Sequence, residues 1–205
     1  MELAVLRDRI SYQGVLLAGF TLLTGAALMT ANTLTLPAIE RAATEDMKAS
    51  LVQVLPPGLA DNDLLTDTVV LQDAKGAAVT VYRGRRAGAF SAAVFQHSAR
   101  GYAGEIVVLI GLDEAGVVQG VRVLKHAETP GLGDKIEVAK TDWILSFAGK
   151  ALATARWAVK KDGGEFDQFA GATITPRAVV KAVKEGLEFY AAHRTEIAAP
   201  SGGQS

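Results

Sequence analysis

The chain has 205 residues, enough for one ordinary domain with a substantial core plus an appendage. Its formal charge of -1 offers no basic excess to neutralise a phosphate backbone, which excludes a nucleic-acid partner. It contains no cysteine, so disulfides, thiolate metal sites and cysteine nucleophiles are excluded, and His97, His126 and His193 are spaced too widely for a metal-ligand motif.

From Ser11 to Ile39 there is no charged residue, and Gly14 to Met29 is almost continuously apolar or small. Such a run is long enough to cross the roughly 30 Å hydrocarbon core as a helix. Arg7 and Arg9 precede it, while Glu40, Glu45 and Asp46 follow. The positive-inside rule therefore puts the N-terminus in the cytoplasm and the chain after about Leu36 outside it. A cleaved signal peptide, with Thr24-Gly25-Ala26 or Met29-Thr30-Ala31 as the site, and a buried soluble helix are the alternatives; a retained anchor fits the run better. Gly14, Gly19 and Gly25, with Ala18, Ala26 and Ala27, would let another membrane helix approach closely.

After Pro37, the apolar positions Ile39, Ala42, Ala43, Met47, Leu51 and Val54 predict a helix that ends at Pro56-Pro57-Gly58. Strands follow near Thr68 to Gln72 and from Ala78 to Arg83, separated by the turn Asp73 to Gly76. A further strand is expected through Ala89 to Gln96, with Arg85 and Arg86 as solvated turn residues. The strongest strand is Glu105 to Ile110, which Asp113 to Gly116 turns into Val117 to Leu124. This hairpin is expected at the centre of the sheet. Trp143, Ile144 and Phe147 predict a short helix, Trp157 to Val159 a short strand, and Pro176 to Ala192 a final helix with Val179, Val180, Val183, Leu187 and Tyr190 on one buried face.

Two stretches have the composition of sites. Lys125 to Lys135 combines two glycines, a proline and five ionisable groups just past a core strand, where a rigid scaffold often carries binding residues. His126 and Glu128 there read equally well as an ordinary strand-end histidine and a solvent-facing charge. The second stretch, Asp167-Gln168-Phe169-Ala170-Gly171-Ala172-Thr173-Ile174-Thr175-Pro176, would present hydroxyls and backbone N–H groups at a helix start. It is either a helix cap or a place to hold a phosphate.

Together with Trp157 to Gly164, these stretches closely resemble the FMN-binding G subunit of the Rnf (Rsx) ion-translocating electron transport complex, a relative of the C subunit of the sodium-translocating NADH:quinone reductase. The resemblance spans nearly the whole chain. It implies an α+β fold, with a single N-terminal transmembrane helix followed by one extracytoplasmic FMN-binding domain, a mainly antiparallel sheet flanked by helices. Residues 1–10 would be the cytoplasmic N-terminus, 11–36 the transmembrane helix, 37–58 a connecting helix, 59–197 the FMN-binding domain and 198–205 a flexible tail.

In the family, a flavin transferase uses FAD to attach FMN by a phosphoester to the threonine of an Asp-x-x-Ser/Thr-Gly-Ala-Thr motif. Carried over, the acceptor is Thr173, with Asp167, Gly171 and Ala172 completing the motif and Thr175 bonding the phosphate or capping the helix. Ala170 departs from the pattern, since the family usually has serine or threonine there. The resemblance further implies flavin contacts from Glu128, Thr129, Gly131, Leu132 and His126, with Lys160 near the phosphate or the reduced flavin. It implies no metal. The function it implies is electron transfer between ferredoxin and NAD within a bacterial inner-membrane complex, alongside other membrane and redox subunits. The chain would not be a complete enzyme alone, because it has no pyridine-nucleotide fingerprint, iron–sulfur cysteines or substrate acid–base pair. A membrane-tethered flavoprotein serving a different redox partner and a cofactor-free assembly protein are the competing functions.

Overall fold

A computed structural model of the chain describes residues 10–200. The charges at Arg7 and Arg9, the expected cytoplasmic N-terminus up to residue 9 and the tail from residue 201 lie outside the described residues. The chain divides into two compact units, one ending at Met47 and the other beginning at Lys48.

Helix α1 runs from Ile10 to Val54 with Pro37 inside it, so the two helical segments expected on either side of that proline are one. It is long and apolar enough to cross a membrane. Its threonines suit an apolar surround: Thr24, Thr30 and Thr35 each donate their hydroxyl to the carbonyl four residues earlier. Each hydroxyl therefore carries its own acceptor, which hydrocarbon could not supply.

The second unit is built on one five-stranded antiparallel sheet in the order β1 (Thr68–Gln72), β2 (Ala78–Arg86), β3 (Ala89–Arg100), β4 (Glu105–Asp113), β5 (Val118–Lys125). The β4–β5 hairpin is consequently at an edge, and β3 is central. The apolar run that predicts a central hairpin reflects cover of another kind, because the outer edge is closed by the chain itself. Val118 N–H donates to Lys150 O at 2.8 Å and Gly149 N–H donates to Val118 O at 2.8 Å.

One face of the sheet carries Val81, Phe95, Ile106, Val108, Ile110 and Val121, which pack with Val179, Val183 and Leu187 of helix α2 (Ile174–Ala198). Gly186 lets α2 approach closely, because a methyl there would lie 2.6 Å from Ile110 Cδ1. On the other face Gly111 and Gly120 are cross-strand partners, and the backbone of Val54 closes over both. A Cβ on Gly111 would come within 2.4 Å of Val54 O, and one on Gly120 within 2.9 Å. Leu51 and Val54, at the end of α1, are buried.

The basic residues expected as solvated turn residues are in strand β2, and Arg85 is paired there. Arg83 and Arg85 both bond the carboxyl group of Asp67. They also donate to Ala199 O, at 3.1 and 2.9 Å, satisfying a carbonyl at the end of α2. A turn charge is usually solvated; these are held because the β1 entry and the α2 exit converge on them.

Candidate functional site

The loop after β5 and the start of α2 meet to form a cleft. It has a volume of about 330 Å³ and is lined by Tyr102, Glu128, Thr129, Leu132, Gly133 and the run Gly171 to Thr175. A larger groove of about 490 Å³, between the β1–β2 turn and the later part of α2, contains none of the residues singled out in the sequence as a site.

The 126–133 loop is shaped by its own hydrogen bonds. The amides of Leu132 and Gly133 both donate to Thr129 O, at 3.1 and 3.0 Å, coiling the loop around Gly131, which has φ 79. A methyl group on Gly133 would lie 2.8 Å from Glu128 Cβ and 3.0 Å from Thr175 Oγ1, so only glycine allows α2 this close. His126 braces the loop from outside the cleft. Its Nδ1 accepts the Glu128 N–H at 3.1 Å and its Nε2 is 2.8 Å from Glu137 Oε1, an arrangement that puts the ring proton on Nε2.

On the α2 side, Phe169 to Ala172 is a tight turn closed by Ala172 N–H donating to Phe169 O at 3.3 Å. Its third residue, Gly171, has φ 80, as a type II turn requires. Below the turn, Trp143 Nε1 donates to Asp167 O at 2.9 Å, and the Trp143 and Phe169 rings meet edge to face at 5.1 Å. Phe147 and Phe166 stack at 4.4 Å in the same aromatic layer. Trp157 stacks on Phe147 at 6.2 Å, so both tryptophans belong to the layer beneath the turn.

The helix starts at Ile174, two residues before the proline expected to open it, and Thr173 is its N-cap residue. The Thr173 side chain makes no capping hydrogen bond. It is half-buried on the cleft wall. The amides of Thr173, Ile174 and Thr175 have no intrahelical acceptor at this position, which leaves a cluster of donors at the positive end of the helix dipole.

Thr175 differs from expectation. It is 1% exposed, and its hydroxyl donates to Glu128 Oε2, so it neither caps the helix nor opens to solvent. Glu128 is 5% exposed, and its second oxygen accepts the Ala103 N–H at 3.0 Å.

Of the sequence-named residues, Glu128, Thr129, Leu132, Gly171, Ala172, Thr173 and Thr175 line the cleft, whereas His126, Gly131, Asp167 and Lys160 do not. Lys160 Nζ and Asp167 Oδ1 pair with each other at 2.7 Å on an exposed surface. Nearby, Arg177 makes a two-pronged contact with Asp162 at 2.6 and 2.8 Å, which holds the Asp162 carboxyl below the usual carboxylate range and fastens the 160–163 turn to α2.

Tyr102, at the β3–β4 turn, is a cleft residue that the sequence motifs do not include. It is 71% exposed at the cleft mouth, near the exposed Leu132 and Ile174. A large exposed aromatic within a glycine-rich turn, Gly101-Tyr102-Ala103-Gly104, is the signal that could have found it.

Residues 101–188 match the family model described as FMN-binding domain, a span that begins at this turn and takes in both cleft walls. Over 192 residues the chain is 52% identical to the G subunit of the ion-translocating oxidoreductase complex of Stutzerimonas stutzeri, covering 92% of this chain and 84% of that protein. The chain belongs to this G-subunit family. The Pseudomonas aeruginosa (strain UCBPP-PA14) member of the family is 44% identical over 209 residues, covering 98% of this chain and 97% of its own length. In fold, the chain is similar to the crystal structure of Shewanella oneidensis NqrC, with a TM-score of 0.50 at 22% identity over 67% of this chain and 74% of that one.

Proposed function

We propose that this chain is an electron-transfer component of an Rnf-type ion-translocating oxidoreductase complex and carries FMN covalently on Thr173. Its family membership supports the first part, since the relatives are named as subunits of such a complex. The observation that carries the second is the half-buried Thr173 on the cleft wall, at the first turn of α2, with its hydroxyl uncommitted to a cap.

The residues fit a flavin phosphate. A phosphodiester at Thr173 is stabilised by the start of α2 and the amides around it. Gly171 keeps the turn tight, and Leu132 and Tyr102 offer apolar surface for the ring system at the cleft mouth. Thr129, Leu132 and Gly133 border the same space, while Asp167 and Lys160 pair with each other on an exposed surface that is not part of its lining. FMN supplies the redox chemistry, and the chain supplies position, shielding and electrostatics.

The attachment needs a flavin transferase, because a threonine hydroxyl requires activation. The Thr173 Oγ1–phosphorus bond forms as the FAD pyrophosphate linkage breaks, AMP leaves and the hydroxyl proton is lost. In the complex, electrons pass between ferredoxin and NAD through this chain and its partner subunits. The protein sits in the bacterial inner membrane with its N-terminus cytoplasmic and the domain in the periplasm. The chain alone is not a complete enzyme.

The test is flavin fluorescence in a denaturing gel after coexpression with the transferase. Thr173→Ala abolishes it and Thr175→Ala retains at least part of it; fluorescence persisting in Thr173→Ala contradicts the assignment.

A further inference from the structure

We propose that Glu128 decides which threonine of Thr173-Ile174-Thr175 receives the flavin, by sequestering the hydroxyl of Thr175. This rests on the covalent reading above and adds its physical determinant. Glu128 then acts as a positioning residue on the protein itself, not only as a lining group of the cofactor cleft.

Two threonines lie two residues apart at the same helix start, and both line the same cleft. Their hydroxyls differ in one respect that matters for phosphoryl transfer. An acceptor hydroxyl must reach the phosphorus with its lone pair free and its proton removable. Thr173 is half-buried, and its side chain makes no cap bond. Thr175 is 1% exposed and its proton is donated to Glu128 Oε2.

Glu128 is itself fixed. Its other oxygen accepts the Ala103 N–H at 3.0 Å, and its own N–H is held by His126 Nδ1 at 3.1 Å. Gly101 and Gly133 both crowd it, since a Cβ on Gly101 would lie 2.6 Å from Glu128 Oε1 and one on Gly133 3.2 Å from Oε2. The carboxyl group therefore joins three segments: the β3–β4 turn, the loop after β5 and the first turn of α2. It holds the Thr175 hydroxyl and leaves Thr173 as the one of the two whose hydroxyl is uncommitted. Losing this acceptor should raise the availability of the Thr175 hydroxyl by roughly tenfold or more.

The experiment maps the flavin-bearing peptide by mass spectrometry in the full chain coexpressed with the transferase. Variants at Glu128 are made in the native and Thr173→Ala backgrounds. Glu128→Gln keeps an oxygen for Thr175 to donate to, and keeps flavin on Thr173 alone. Glu128→Ala divides flavin between Thr173 and Thr175, and in the Thr173→Ala background restores attachment at Thr175. Glu128→Leu, which fills the same volume without an acceptor, gives the same outcome should the alanine variant fail to fold. Exclusive use of Thr173 in folded Glu128→Ala or Glu128→Leu, or flavin on Thr175 in Thr173→Ala with Glu128 intact, overturns the proposal. Absence of flavin from the unmutated chain would instead overturn the covalent reading.

Discussion

Gly171 and Leu132 meet across the cleft, so that a methyl added to Gly171 would lie 3.3 Å from Leu132 Cδ2. The contact joins the turn before α2 to the loop after β5, two of the three stretches that carry the family resemblance. Gly171→Ala therefore strains a backbone at φ 80 and presses on Leu132, lowering stability by about 1–2 kcal/mol and reducing flavin content. Gly131→Ala is the control: it carries similar strain, at φ 79, with nothing within 4 Å of the new methyl. Urea unfolding should show similar losses for both, and flavin absorbance a larger loss for Gly171→Ala.

A side chain at Gly111 cannot coexist with the Val54 carbonyl closing over it. Gly111→Val should lower stability by about 3 kcal/mol or more, by overpacking against backbone that cannot rotate away. Thermal unfolding of the detergent-solubilised chain measures this, and an unchanged transition would show that the end of α1 does not rest on β4.

Asp67 serves two arginines at once. Asp67→Asn leaves Arg83 and Arg85 against a neutral partner in a nearly buried setting and should cost about 3 kcal/mol in chemical denaturation. It should also loosen the end of α2, whose Ala199 carbonyl both guanidinium groups hold, giving faster amide exchange in the last turn.

Glu185 sets an acid limit. Burial opposes its ionisation, but hydrogen bonds from Lys75 at 2.9 Å and His97 at 3.4 Å outweigh that, and its carboxyl titrates below the ordinary range. A depressed folded-state value means the native state binds the proton less readily than the unfolded chain. The contribution is present above the unfolded value of about 4.3 and is lost as pH falls through the lower folded value. Glu185→Gln should flatten the fall in stability below that pH; an unchanged acid limb contradicts the assignment.

Much of the fold could be read from local pattern, and the exceptions share a physical cause. The apolar run of α1, the alternation in β1 to β5 and the buried face of α2 are short-range signals. The edge position of β5 was hidden because burial reports that a strand is covered but not by what; here residues 149 and 150 and the end of α1 do the covering. Arg85 read as solvated because its partner, Asp67, lies on a preceding segment. The site was legible as two motifs, yet the bond joining them, Thr175 to Glu128, spans 47 residues and has no sequence signature. Tyr102 stayed outside the sequence reading of the site because only folding brings its turn to the cleft mouth.

The central claim is a flavin on Thr173, and peptide mapping of the unmutated chain tests it most directly. The full chain, coexpressed with its flavin transferase and supplied with riboflavin, should gain the mass of one FMN less one water, located on Thr173. A chain of unmodified mass, or the same added mass located on any other residue, would contradict it.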